Sequence, residues 1–268
     1  MKNILKLSNV SWRRGTKLLL DQVNWKIEPG QHWALLGLNG SGKTTLLNMV
    51  NGYIWPTEGE VEVLGERFGD IDLRDLRKSI GWVSSSLQEK LRGSDKAQSV
   101  VISGKHASIG LYVNVPEEDF ERARELMVKL GCEHLWDREF RNCSQGEKQK
   151  VLIARALMAD PRILILDEPC NGLDLFARER LLRSIEELAL DSTGPTLIYV
   201  THHTEEILPA FSHTLLLRKG RVFDSGETNM MLNAERLSRF FEGPVHVQTS
   251  GDRTYIFAGI ESVDKEKY

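Results

Sequence analysis

A glycine-rich loop between a short apolar run and a helical pattern constrains the fold of this chain more than any other feature. The apolar run covers residues 33–36, and helical spacing follows over residues 45–50. Between them the sequence matches G-x-x-x-x-G-K-[ST]. Glycines let the backbone wrap closely around a phosphate, so that successive N–H groups and the helix N-terminus face the anion. We call this segment the phosphate loop; it consists of Gly37, Leu38, Asn39, Gly40, Ser41, Gly42, Lys43, Thr44 and Thr45.

Four side chains have the chemistry needed to hold and attack a nucleoside triphosphate. Lys43 supplies a positive charge for the β- and γ-phosphates, and the Thr44 hydroxyl is a ligand for Mg²⁺. Asp167 and Glu168 follow an apolar run at 163–166, and open α/β sheets bind ligands at the carboxyl ends of such strands. We therefore predict that Asp167 binds Mg²⁺ and that Glu168 is the general base that polarises the attacking water.

The distribution of strand and helix patterns predicts an α/β fold. Apolar runs at 163–166 and 196–200 are separated by helical spacing over 176–190, and this alternation favours a partly parallel sheet. The first 35 residues have short strand patterns with turns between them. From about residue 95 to 142 the pattern changes to helical spacing, which predicts a helical insertion.

Composition and charge exclude several classes of protein. The chain has 35 basic and 38 acidic residues and a net charge of −3, which disfavours binding of nucleic acid through bulk positive charge. No apolar run approaches the roughly 18–20 residues of a membrane-spanning helix, and the first residues are too charged for a signal peptide. Its three cysteines form no CxxC pair, so neither a disulfide framework nor a zinc site is indicated. These features predict a cytosolic protein that does not insert into the membrane.

Three further motifs carry a resemblance to a known family. Residues 143–149 read CSQGEKQ and precede a helical stretch, residues 171–174 read NGLD, and residues 200–202 read VTH. In this order they resemble the signature, D-loop and switch histidine of ATP-binding-cassette (ABC) ATPases, whose signature is LSGGQ. Ras-like GTPases and helicases share the first two motifs of this chain but lack the signature. The resemblance covers about residues 3–227.

The resemblance implies a fold, a set of domains and a set of roles. The fold is a P-loop NTPase with an ABC-type core, in which a mixed sheet is joined by antiparallel N-terminal strands and an inserted α-helical subdomain. The cassette would span residues 3–241, the helical subdomain about 90–150, and a C-terminal extension 242–268. Within residues 230–268 the patterns predict one helix over 230–241 and two strands over 245–249 and 254–258.

The implied roles divide between two copies of the chain. Trp12 would stack on the adenine of ATP, and His202 would act in catalysis beside Glu168. The signature would cap the γ-phosphate of ATP held by a second cassette, so that a head-to-tail homodimer encloses two ATP molecules with Mg²⁺. The signature residues are Ser144, Gln145, Gly146 and Glu147, and the D-loop residue is Asp174.

The signature differs from LSGGQ at Cys143, Gln145 and Glu147, and the larger departure from the family pattern is at the Q-loop. ABC ATPases usually read Gly-aromatic-Val-x-Gln at the Q-loop, whereas residues 81–88 here read GWVSSSLQ. Ser85 stands at the position of the glutamine, and Gln88 follows three residues later. Either Gln88 bends back to the Mg²⁺ and water, or Ser85 serves through a bridging water. Both alternatives stay open on the sequence, although Gln88 is the metal ligand that we select.

Three classes of function are compatible with these motifs. The first is the ATPase subunit of an ABC transporter, peripheral to the inner face of the cell membrane through a permease partner. The second is a soluble ABC ATPase acting as a regulator or on nucleic acid or ribosomes, and the third is a nucleotide-binding regulator with little turnover. The interval between Lys43 and Ser144 has no room for the long coiled coil of DNA-repair ABC proteins, and ribosome-acting members usually carry two cassettes. Glu168 and His202 argue against the inert regulator. We therefore predict the transporter subunit, with the soluble ATPase as the alternative.

Overall fold

The computed structural model describes residues 2–112 and 114–259. The strands are β1 (Leu5–Arg14), β2 (Lys17–Ile27), β3 (Trp33–Leu36), β4 (Glu58–Val63), β5 (Glu66–Arg67), β6 (Ile80–Val83), β7 (Ile163–Asp167), β8 (Thr196–Thr201), β9 (His213–Arg218), β10 (Arg221–Glu227), β11 (Val245–Ser250) and β12 (Arg253–Ala258). The helices are α1 (Lys43–Val50), α2 (Leu73–Lys78), α3 (Ser85–Lys90), α4 (Ala97–Ile102), α5 (Glu117–Lys129), α6 (Gln145–Leu157), α7 (Leu175–Leu190), α8 (Thr228–Met231) and α9 (Ala234–Phe241). Short 3₁₀ helices lie at Glu133–Leu135, Phe140–Asn142 and Thr204–Glu206.

The central sheet has the order β10-β9-β3-β8-β7-β6. Strands β9, β3, β8, β7 and β6 run parallel, and β10 pairs antiparallel with β9. Strand β3 is apolar and buried along its whole length, as expected for a strand covered on both faces. The register pairs Leu36 with Thr201 and Asp167 with Val200, so the carboxyl ends of β3, β7 and β8 lie at one edge of the sheet.

A second sheet with the order β2-β1-β4-β5 is antiparallel throughout. Apolar side chains of β1 and β2, such as Leu5 and Ile27, share one core with Leu46 of α1 and with Ile165 and Ile198 of the central sheet. Burial of this apolar surface, worth about 25 cal/mol per Å², fixes the N-terminal sheet against α1. The mixed sheet with antiparallel N-terminal strands is confirmed.

A second core joins α4, α5 and α6 to the other face of the central sheet. The approach of α4 to α6 is so close that a Cβ at Gly104 would lie 1.9 Å from the carbonyl oxygen of Arg155. The Arg155 side chain is buried there, donating from Nη2 to the carbonyl of Ser108 at 3.0 Å and from Nε to Ser103 at 3.3 Å. Only glycine fits at position 104, and the two hydrogen bonds offset part of the cost of burying the arginine. The helical character predicted between residues 95 and 142 is confirmed.

The C-terminal part differs from the prediction in one respect. The single helix predicted over residues 230–241 is wrong, because the chain forms α8 and α9 with a break between them. The Asn233 side chain accepts a hydrogen bond from the N–H of Arg236 at 2.9 Å and caps α9. Asparagine favours such a cap over a helix interior. The predicted two-stranded tail is confirmed as the hairpin of β11 and β12, and residues 260–268 of the predicted extension lie outside the described residues.

Nowhere in residues 2–112 and 114–259 is a helix long and apolar enough to cross a membrane.

Candidate functional site

The phosphate loop connects the carboxyl end of β3 to the start of α1. Gly42 has φ of 106° immediately before the helix, a conformation that L-residues with a side chain rarely adopt. A Cβ at Gly37 would lie 2.5 Å from Ser41 Oγ and 2.8 Å from the carbonyl oxygen of Leu217. Glycine at these two positions therefore follows from the path of the loop. Within the described residues, the buried Ser41 Oγ has no hydrogen-bond partner, so it is a free polar atom in the wall of the loop.

The start of α1 and the ends of β7 and β8 bring three ionisable side chains together, with one oxygen atom of Glu168 at the centre. Lys43 Nζ at the start of α1 lies 3.2 Å from Glu168 Oε1 and donates to the carbonyl of Gly37 at 2.7 Å. His202 Nδ1, after β8, lies 3.4 Å from the same Oε1 without the geometry of a hydrogen bond. Glu168 itself has φ of 50° and donates its N–H to the carbonyl of Val200 at 2.9 Å. The strand ends thus place a base candidate between a cation and an imidazole.

The pocket over the phosphate loop contains oxygen ligands suited to Mg²⁺. Both Thr44 and Asp167 line this pocket, together with Glu168 and most of the loop. Burial raises the pKa of Asp167 to about 6, the charge of Glu168 adds to the rise, and Lys43 opposes it. One hydroxyl and one carboxylate fit a cation that takes its other ligands from water and substrate phosphates. The described part of the chain contains no group of three His, Cys, Asp or Glu side chains that could hold a metal ion.

The signature residues lie at the start of α6, away from this pocket. Ser144 caps the helix, since its Oγ accepts from the N–H of Glu147 at 3.3 Å while Glu147 Oε2 accepts from the N–H of Ser144 at 2.7 Å. This reciprocal pair satisfies two donors of the helix N-terminus. Glu147 Oε1 also lies 3.3 Å from Arg138 Nη1. Ser144 is exposed, whereas Gly146 packs against α7, where an added Cβ would lie 3.4 Å from Ala177.

The two Q-loop candidates have separate locations. Ser85 is the first residue of α3 and lines the phosphate pocket. Gln88 is not among the described residues that line this pocket. Its side-chain amide donates to Gln145 at 3.1 Å, and its oxygen accepts from Gln145 and from Gln149, each at 3.2 Å. The structure therefore does not bring Gln88 to the predicted Mg²⁺ ligands Thr44 and Asp167.

Trp12 and Asp174 are not among the described residues that line the phosphate pocket. Trp12 of β1 lies opposite Leu20 of β2, half-buried against the core under the N-terminal sheet. Asp174 caps α7 by accepting from the N–H of Ala177 at 2.8 Å. A smaller pocket is lined by Glu168, His202 and the D-loop residues 171–173.

Two residues of the phosphate pocket were missed by sequence reasoning. Lys17 and Leu19 of β2 line it, on one face of the strand because alternate residues point the same way. The approach is close, since a Cβ at Gly42 would lie 3.2 Å from the carbonyl oxygen of Leu19. A strand pattern alone does not tell which loop the strand passes, so no sequence signal identified these residues.

Comparison with known proteins identifies the family. The model of the ABC transporter family matches residues 20–171. The chain belongs to the ABC transporter family. It is a single ABC cassette, and like its family it is an ATPase that binds and hydrolyses ATP.

Individual relatives agree with this assignment. The ABC transporter ATP-binding protein YlmA of Bacillus subtilis is 50% identical over 254 residues, which cover 94% of this cassette and 96% of that protein. A chain from an ABC transporter solved in an inward-facing conformation has a TM-score of 0.78 at 28% identity, with 97% of this cassette and 98% of that chain covered. The dimeric cassette MJ0796, solved in a post-hydrolysis state with ADP and phosphate, has a TM-score of 0.71 at 28% identity and covers 84% of this cassette and 98% of that chain.

Proposed function

We propose that this cassette is the motor subunit of a transporter, hydrolysing ATP in a head-to-tail homodimer beneath a permease subunit. The observation that carries the proposal is the meeting of Lys43 and His202 at Glu168 Oε1, which supplies a cation, a base and an imidazole at the end of the central sheet. In the proposed mechanism Lys43 holds the β- and γ-phosphates, and Glu168 Oε1 accepts a proton from the attacking water. His202 stabilises the charge that develops on the γ-phosphate. Thr44 and Asp167 would hold Mg²⁺, which neutralises the phosphate charge.

The signature is proposed to act on the ATP of the second copy. Ser144 is exposed at the N-terminus of the 13-residue helix α6, where unpaired N–H groups and the helix dipole favour an anion. Among the described residues that line the chain's own phosphate pocket, none belongs to the signature. The dimeric state of the related cassette MJ0796 supports a partner that completes each site. Asp174 lies at the start of α7, beside the small pocket of Glu168, and is proposed to contact the second cassette.

Helix α3 is proposed to link the nucleotide to the signature helix. Its first residue, Ser85, faces the phosphate pocket, and Gln88 one turn later is bonded to Gln145 and Gln149 of α6. A shift of Ser85 on loss of the γ-phosphate would therefore pull on the start of α6. We propose that Ser85 fills the Q-loop role through a water, and that Gln88 transmits the change instead of ligating Mg²⁺.

The adenine is proposed to stack on Trp12. Trp12 pairs with Leu20 of β2, and the neighbouring Leu19 lines the phosphate pocket, which supports a position of Trp12 near the nucleotide. The Trp12 side chain is half-buried, and stacking on adenine would cover more of its apolar surface.

Replacing Lys43 by alanine should weaken binding of Mg-ATP by at least tenfold, about 1.4 kcal/mol. The mutation removes the cation from the phosphates but leaves the backbone N–H groups of the loop. Titration calorimetry on the isolated protein measures the effect, with Lys6→Ala as a matched control because Lys6 is exposed on β1. Unchanged affinity in Lys43→Ala would show that the phosphate loop is not the ATP site.

Crosslinking in cells tests the membrane partner. The transporter hypothesis expects the full-length protein in the membrane fraction, crosslinked to a protein with several membrane-spanning segments that mass spectrometry identifies. The control omits the crosslinker and follows the ribosome fraction in parallel. Recovery with ribosomes or nucleic acid, and with no membrane protein, would establish the soluble ABC ATPase instead.

A further inference from the structure

A buried carboxylate forms hydrogen bonds within the segment that carries His202. We call residues 201–206 the switch segment. Glu206 is 4% exposed, and its Oε2 accepts from the Thr201 hydroxyl at 2.6 Å and from the Tyr199 hydroxyl at 3.1 Å. The same Thr201 oxygen accepts from the N–H of His203 at 3.0 Å. Both ends of the segment are thereby joined, which limits the conformations open to His202 between them.

An arginine of the C-terminal hairpin holds the outer side of the switch segment. Arg253 Nη1 donates to the carbonyl oxygen of Glu205 at 2.7 Å, and its Nη2 lies 3.3 Å from Glu179 Oε2 on α7. The Arg253 side chain is only 19% exposed, and β12 packs directly on the 3₁₀ helix Thr204–Glu206. A surface ion pair is worth little by itself, but a charged donor on a main-chain carbonyl of the segment fixes the backbone itself.

The hairpin is itself anchored to the body of the cassette. Val245, Val247 and Ile256 pack against the core that joins α4, α5 and α6 to the central sheet. The N–H of Val245 donates to Ser238 Oγ of α9 at 2.9 Å. Arg253 therefore connects the switch segment to a fixed structure. On the segment itself, Glu205 Oε1 lies 3.5 Å from His203 Nδ1, and the His203 ring packs on that of His202 with centroids 4.1 Å apart.

We propose that Arg253 is a positioning residue of the ATPase, through which the C-terminal hairpin holds His202 beside Glu168. Arg253 fixes the switch segment from outside while Glu206 fixes it from inside, and loss of either bond lets His202 leave the γ-phosphate. The inference rests on the proposed role of His202. Because Arg253 contacts neither the phosphate loop nor β2 in the described residues, it should affect the chemical step without affecting ATP binding.

Steady-state ATP hydrolysis by full-length variants tests the proposal. Arg253→Ala should lower kcat about tenfold, which corresponds to about 1.4 kcal/mol, and leave the KM for ATP within about twofold. Arg253→Lys should recover part of kcat, because an ammonium group can still donate to the Glu205 carbonyl. Glu206→Ala, which removes the acceptor of the Thr201 and Tyr199 hydroxyls, should lower kcat in the same way as Arg253→Ala. The matched control is Arg239→Ala on α9, an exposed arginine without an ion pair in the described residues, which should keep the wild-type kcat.

The outcomes separate failure of the inference from failure of the proposed function. His202→Ala is measured in parallel and should be nearly inactive. If His202→Ala is inactive while Arg253→Ala matches Arg239→Ala in kcat, the inference is overturned and the role of His202 stands. If Arg253→Ala loses thermal stability and ATP affinity together with kcat, Arg253 has a merely structural role and the inference is again overturned. If His202→Ala keeps the wild-type kcat, the catalytic role of His202 and the inference both fail.

Discussion

Replacing Glu168 by glutamine should stop ATP turnover while ATP stays bound. The amide keeps the shape of the side chain and its hydrogen-bonding capacity but cannot accept the proton of the attacking water. General base catalysis contributes about 10²–10⁴ in rate, so kcat should fall by at least about a hundredfold. Release of phosphate measures the loss. Glu187→Gln, an exposed amide substitution on α7, is the matched control and should hydrolyse ATP at the wild-type rate.

The same variant should accumulate as a dimer when Mg-ATP is added. If ATP binds between two cassettes and hydrolysis separates them, blocking hydrolysis shifts the monomer equilibrium towards the dimer by mass action. Light scattering at concentrations on the order of tens of micromolar follows the change in mass. A Glu168→Gln protein that remains monomeric under these conditions would contradict a stable ATP-bound dimer of the isolated cassette. Hydrolysis at the native rate would instead show that Glu168 is not the base.

The site residues that the sequence predicted lie either in one contiguous loop or at the ends of neighbouring strands. The phosphate loop is contiguous, and Gly37 and Gly42 stand where the loop path excludes a side chain. Asp167 is the last residue of β7 and His202 follows β8, and parallel pairing of the two strands brings their ends to one edge. For these residues a strand pattern and a motif suffice, because the sheet supplies the long-range arrangement.

The parts that the sequence did not predict depend on contacts between distant segments. Gln88 stands three residues after the expected Q-loop position, yet its amide bonds to Gln145, and nothing in the pattern of either segment encodes that pairing. Lys17 reaches the phosphate pocket only because β2 passes beside Gly42. Arg253 lies in a tail whose strands were predicted by alternation, whereas its contact with Glu205 depends on how the hairpin docks.

Replacing Ser144 by arginine should abolish both dimer formation and turnover while leaving ATP affinity close to that of the wild type. Ser144 is exposed at the N-terminus of α6, where the arginine would place a bulky side chain in the space proposed for the γ-phosphate of the neighbouring chain. The substitution also removes the helix cap, at a cost of about 1 kcal/mol. Ser144→Ala removes the same cap without the bulk, so it should retain much more activity than Ser144→Arg. Calorimetry measures ATP affinity, and phosphate release measures turnover.

A mixture of two inactive variants decides whether the signature acts on the other chain. Ser144→Arg has an intact phosphate loop, and Lys43→Ala has an intact signature. In a head-to-tail dimer of the two, one site combines the normal loop of the first chain with the normal signature of the second. The mixture should therefore hydrolyse ATP faster than either variant alone. If Ser144 instead serves the phosphate loop of its own chain, no combination contains an intact site, and the mixture would be as inactive as its components.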